Sequence, residues 1–116
     1  MGALPLSAVL DPHMDYQLVL QFRGDSLADY DAMVALENEL IAELGHSAEV
    51  DGHDVGSGET NIFIITADPV RTFRESKVVL ERKRCLGAVT AAYRAVDGEA
   101  YTVVWPEWPS KEFRVA

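Results

Sequence analysis

The run Ile62-Phe63-Ile64-Ile65, set between Asn61 and Thr66, constrains this chain more than any other stretch. Consecutive β-prone apolar residues in so short a segment fit a strand buried on both faces, so the run belongs at the centre of a sheet. The residues before it cannot share that place. Ala48 to Val55 carries Glu49, Asp51, His53 and Asp54 and reads as a polar edge strand. Gly56-Ser57-Gly58 supplies the turn between the two, and Gly45 ends a preceding helix.

The remaining elements arrange themselves around that hairpin. Asp15 to Phe22 alternates, with Tyr16, Leu18, Leu20 and Phe22 against Gln17, Val19 and Gln21, which predicts a half-buried strand. Arg23-Gly24-Asp25 turns the chain, and Ser26 caps a helix from about Leu27 to Leu44 whose apolar stripe is expected at Leu27, Tyr30, Val34, Ile41 and Leu44, helped by Met33, Leu36 and Leu40. Asp68-Pro69 opens a second helix that ends near Arg84, with Val70, Phe73, Lys77, Val78 and Leu80 inward. Gly87 to Val96 alternates again, Asp97-Gly98 makes a two-residue hairpin turn, and Tyr101 to Trp105 returns. The order is βαββαβ with one appended strand, an α+β domain of ferredoxin-like layout. Right-handed crossovers put two helices on one face of an antiparallel sheet of order 5-4-1-3-2. Residues 1–13 read as a flexible arm, 14–105 as the single domain, and 106–116 as a tail bounded by Pro106 and Pro109.

Charge narrows the functional classes. The formal net charge is −9, and residues 1–70 hold one basic side chain, Arg23, against thirteen acidic ones. Such a balance argues against nucleic acid, whose phosphates demand clustered Lys and Arg. The basic residues concentrate instead in 71–84, where Arg71, Arg74, Lys77, Arg82, Lys83 and Arg84 offset the acidic first helix and the dipole of their own. The same cluster could instead meet an acidic partner or an anionic small molecule. No apolar run is long enough for a membrane span, the N-terminal GALPLSAVL lacks the basic start of a secretion signal, and the single cysteine, Cys85, forms no internal disulfide. These features point to a cytoplasmic protein that binds neither membrane nor nucleic acid.

Candidate chemistry centres on the hairpin. Glu49, Asp51 and His53 leave one face of an extended strand, and Asp51, His53, Asp54 and Glu59 are the candidate ligand-binding set. Side chains two apart on a strand lie nearly 7 Å from each other, too far to share a cation without bending inward. Neither HExxH nor CxxC spacing accompanies them, so no metal, cofactor or catalytic residue is assigned. Charges on an edge strand also guard it against pairing with other strands. Gly56-Ser57-Gly58 precedes a strand and not a helix, which suits a turn better than a phosphate loop. Cys85 reads as a small buried hydrophobe. The patterns of Phe63, Ile65, Tyr93, Val103 and Trp105 cannot all point at the helices; they are the candidate interface of a homodimer, unless the arm or the Trp108 tail folds over that face.

The run Glu49-Val50-Asp51-Gly52-His53-Asp54-Val55-Gly56-Ser57-Gly58-Glu59, followed by Asn61-Ile62-Phe63-Ile64 and Asp68-Pro69, resembles small bacterial proteins of unassigned function with a ferredoxin-like α+β layout. The topology is also similar to ACT-type regulatory domains, which implies small-ligand sensing at a subunit interface. The leading expectation is a non-enzymatic interaction or regulatory module, dimeric, with an acidic surface suited to a basic protein partner. An ACT-like ligand sensor, with a pocket at the first strand-to-helix turn or the dimer interface, is the alternative. A metal-dependent hydrolase would require the hairpin carboxylates to converge.

Overall fold

The computed structural model describes residues 14–23, 30–56, 58–106 and 113–115. The expected N-terminal arm, the Arg23-Gly24-Asp25 turn beyond Arg23, the Ser26 cap with its first helical turn, Ser57 and most of the tail lie outside them. Five strands and two helices follow in the order β1 (Tyr16–Arg23), α1 (Tyr30–Leu44), β2 (Glu49–Gly56), β3 (Glu59–Thr66), α2 (Pro69–Arg82), β4 (Val89–Ala95) and β5 (Thr102–Trp105), with a 3-10 turn at Leu86–Ala88 before β4. Every strand pair is antiparallel. Neighbours in the open sheet run β2-β3-β1-β4-β5, which counted from the β5 edge is 5-4-1-3-2.

The register explains why one face closes into a core. Leu18 stands between Ile64 and Tyr93, and Leu20 between Ile62 and Ala91. These residues, with Tyr16, Phe22 and Val89, meet Leu36, Leu40 and Leu44 of α1 and Phe73, Val79 and Leu80 of α2 in one buried cluster. Each enclosed Leu or Ile contributes roughly 1.5–3 kcal/mol through removal from water. The two helices therefore share this helix-facing side of the sheet.

Both helices are rotated from the expected stripes. On α1 the buried residues are Met33, Leu36, Leu40 and Leu44, whereas Tyr30 and Ile41 are exposed. On α2 they are Pro69, Thr72, Phe73, Ser76, Val79 and Leu80, while Val70 and Val78 face water. Two small hydroxyl residues enter this interior because they find partners: Thr72 Oγ1 lies 2.7 Å from Thr66 Oγ1, and Ser76 Oγ donates to the Thr72 carbonyl at 2.8 Å. A satisfied hydroxyl is inexpensive to bury, so polarity alone misplaced the stripe.

The ends of the elements follow from single residues. Asp68 caps α2 by accepting from the Arg71 N–H at 3.1 Å, with Pro69 at the first helical position. Gly45, at φ 56°, closes α1, its N–H donating to the Ile41 carbonyl. Asp97-Gly98 does not form the expected two-residue turn between β4 and β5. The last paired residues are Tyr93 and Thr102, and Gly98 does not adopt a positive φ, so the connection is a wide loop and not a two-residue turn. Arg94 fills it, one guanidinium nitrogen donating to the carbonyls of Ala95, Val96 and Gly98.

Candidate functional site

The hairpin residues do not converge. The β2–β3 register has an irregularity between Val50 and Gly52, and Gly52 takes φ 131°, so Asp51 sits in a bulge. His53 pairs across to Ile62 and lies on the helix side, where its Nδ1 meets the Glu37 carboxylate at 3.1 Å and its ring meets Tyr30 edge-on. Asp54 pairs with Asn61 and Glu59 contacts Asn61, both on the opposite face. Among the described residues no three His, Cys, Asp or Glu side chains gather closely enough to hold a metal ion. The bulge and the two-sided placement remove the converging carboxylates that metal-assisted hydrolysis requires.

The candidate interface residues also divide. Tyr93 belongs to the helix-side core, packed edge-on against Tyr16. Burial raises the pKa of its phenol, tempered by the nearby Thr102 hydroxyl, yet its Oη makes no hydrogen bond of good geometry. Trp105 also turns toward the helices, stacking near Phe73, lying under the Lys77 ammonium, and donating from Nε1 to the Leu86 carbonyl at 3.2 Å. The bulge in the β4–β5 register, with Ala91 opposite Trp105 but Ala92 opposite Val103, accounts for that orientation. Phe63 and Ile65 remain on the outer face with Gln17, Val19 and Gln21, and Val103, opposite the outer-face Ala92, joins them; all three are half-buried.

That outer face holds a polar arrangement that joins β1, β3 and the segment 113–115. Gln21 and Asn61 are direct cross-strand partners and both are buried, Asn61 completely. Gln21 Nε2 donates to Asn61 Oδ1 at 3.0 Å and to the Arg114 carbonyl at 2.8 Å, with a longer 3.3 Å contact to Glu59 Oε2. Asn61 Nδ2 donates to the same Glu59 oxygen at 3.0 Å. The segment Phe113–Val115 thereby lies against the sheet, and the Phe113 ring packs on Tyr101 with centroids 5.0 Å apart. Val19 and Ala92 on this face are fully enclosed. The segment 113–115 belongs to the tail that the sequence offers as one cover of this face, whereas two amides facing each other across neighbouring strands become visible only once the register is known.

Three further features take ordinary structural roles. Arg82 and Lys83 both bridge to Glu39 of α1, at 3.1 and 2.9 Å, and hold its carboxyl below the usual range, Lys83 acting most strongly. Cys85 is buried, and burial pushes its thiol up, away from the reactive thiolate. An open cleft of about 670 Å³ lies at the C-terminal end of α1, lined by Asp15, Ile41, His46, Glu49, Val50 and Ile65 among others. This is the opposite end of α1 from the turn where a sensor pocket was expected, and residues 24–29 of that turn lie outside the described set.

Compared with protein-family models, curated proteins and solved structures, the chain shows no significant match. Among the described residues, no helix is long and apolar enough to cross a membrane.

Proposed function

We propose that the protein is a non-enzymatic interaction module of ferredoxin-like layout, which meets a basic protein partner through its acidic surface and a second copy through the outer face of its sheet. The distribution of satisfied charge carries this reading. Asp31 and Glu43 on α1 and Glu49, Asp51 and Asp54 on β2 are exposed, and none forms an ion pair among the described residues. Of the basic cluster, Arg82 and Lys83 are engaged by Glu39 and Arg71 by Glu75, so these three cations are not spent on the exposed carboxylates. An exposed field of one sign steers and selects an oppositely charged partner.

For the second copy, the support is the half-buried apolar set Phe63, Ile65 and Val103, which no helix covers. Affinity capture from native lysate tests the acidic surface. The wild type should retain a basic protein at physiological salt, and the variant Glu49→Lys, Asp51→Lys, Asp54→Lys should lose it. Retention of the same protein by that variant would overturn the assignment. Sedimentation at high micromolar concentration tests the pairing, and a strictly monomeric chain would refute it.

A further inference from the structure

We infer that the outer face of the sheet is a peptide-binding groove that reads an extended apolar-x-apolar segment by its middle carbonyl, and that its occupant is the chain's own C-terminal segment Phe113-Arg114-Val115. The inference rests on the reading of this face as an interaction surface and names what the surface holds. A glutamine enclosed at the centre of a sheet face must find acceptors for its amide, because a buried donor left unpaired costs roughly 1–3 kcal/mol. Asn61 supplies one acceptor to Gln21, and the Arg114 carbonyl supplies the shortest contact, at 2.8 Å. Glu59 accepts from Asn61 and fixes its amide, so the donor aimed at the peptide carbonyl is held before the segment arrives.

The segment has the matching pattern. Phe113 and Val115 are half-buried and Arg114 between them is exposed, the alternation of an extended chain lying on a sheet. Phe113 anchors it against Tyr101, which precedes β5. A side-chain amide on the sheet face thus holds the main chain of the segment, while the Phe113 ring packs on Tyr101 beside it. An identical segment from a second copy meets the same groove, and exchange of a terminal element between copies is a low-cost route to a dimer.

The test uses full-length chains and a fluorescently labelled peptide with the sequence of residues 107–116. In wild type the resident segment competes, so the peptide should bind weakly. In Phe113→Ala the resident segment is loosened while the groove is intact, and binding should strengthen roughly tenfold, whereas adding Gln21→Leu should weaken it again by about the same factor, as expected for loss of one buried hydrogen bond. Val115→Ser serves as a second loosened chain should circular dichroism show Phe113→Ala unfolded. Binding no tighter in the loosened chains than in wild type, or unaffected by Gln21→Leu, overturns the groove. Sedimentation of the same proteins separates this from the dimer: a monomer that binds the peptide keeps the groove and refutes pairing, and a dimer indifferent to the peptide does the reverse.

Discussion

The two faces of one sheet solve burial in different ways. Toward the helices, β1, β3 and β4 present Leu18, Leu20, Ile62, Ile64 and Ala91, all fully enclosed and apolar. Away from the helices the same strands present Val19 and Ala92 beside Gln21 and Asn61, also enclosed, with a carbonyl of the C-terminal segment completing the hydrogen bonds. The first face is specified by area and shape and is covered by the two helices. The second is specified by directional bonds that reach the segment Phe113–Val115. The core and the proposed recognition surface thus lie on opposite faces of one sheet.

The largest effect that separates them is on stability. Leu20→Ala, in the middle of the helix face, should cost about 2–5 kcal/mol in chemical denaturation, whereas Val103→Ala on the outer face should cost under about 1 kcal/mol because its site is only half-buried. Equal losses would erase the distinction. Gln21→Leu comes next. It leaves Asn61 Oδ1 without its donor, and a loss of roughly 1–3 kcal/mol is expected; a neutral result would mean that the amide pair orders nothing.

Smaller effects sharpen the account of the helix layer. Lys83 and Arg82 depress the carboxyl of Glu39, so its contribution is present above the carboxylate's unfolded value near 4.5 and is lost as pH falls through the lower folded value. Glu39→Gln should therefore flatten the acid limb of the stability profile below about pH 4.5 and leave a modest, salt-sensitive deficit at neutral pH. An unchanged acid limb would show that the bridge is without consequence. The slightest effect is at Cys85, whose raised thiol should react with iodoacetamide far more slowly than a free thiol at neutral pH, and at equal rates only after unfolding.

The sheet was the most legible part of the chain, because its signals are local. Alternation in Tyr16 to Phe22, the apolar run Ile62 to Ile65 and the Asp68-Pro69 cap each depend on near neighbours in sequence. Yet it is β1 and not β3 that takes the centre of the sheet, buried on both faces where a half-buried strand is expected, while Phe63 and Ile65 of β3 are half-buried. The helix stripes misled where partners came from elsewhere: Thr72 and Ser76 enter the interior on hydrogen bonds that composition does not announce, and Ile41 and Val78 are left exposed. Tyr93 and Trp105 went to the helix side for a similar reason, since a single register shift between β4 and β5 decides which way Trp105 points. The acidic hairpin looked like a site because its residues are close in sequence; a bulge and strand alternation disperse them over two faces. The Gln21-Asn61 pair is the converse, forty residues apart in sequence and adjacent in space.

The division between core face and recognition face is tested most directly by the rate of trypsin cleavage between Arg114 and Val115. The carbonyl that trypsin must attack is the one held by Gln21, so a seated segment resists cleavage and a released one does not. Followed by intact mass as loss of residues after Arg114, cleavage should be slow in the wild type and about tenfold faster in Gln21→Leu, the factor expected for one buried hydrogen bond, at denaturant-free conditions where cleavage inside the folded core stays far slower than at Arg114 in both proteins. Rapid cleavage at Arg114 in both proteins alike would contradict the account.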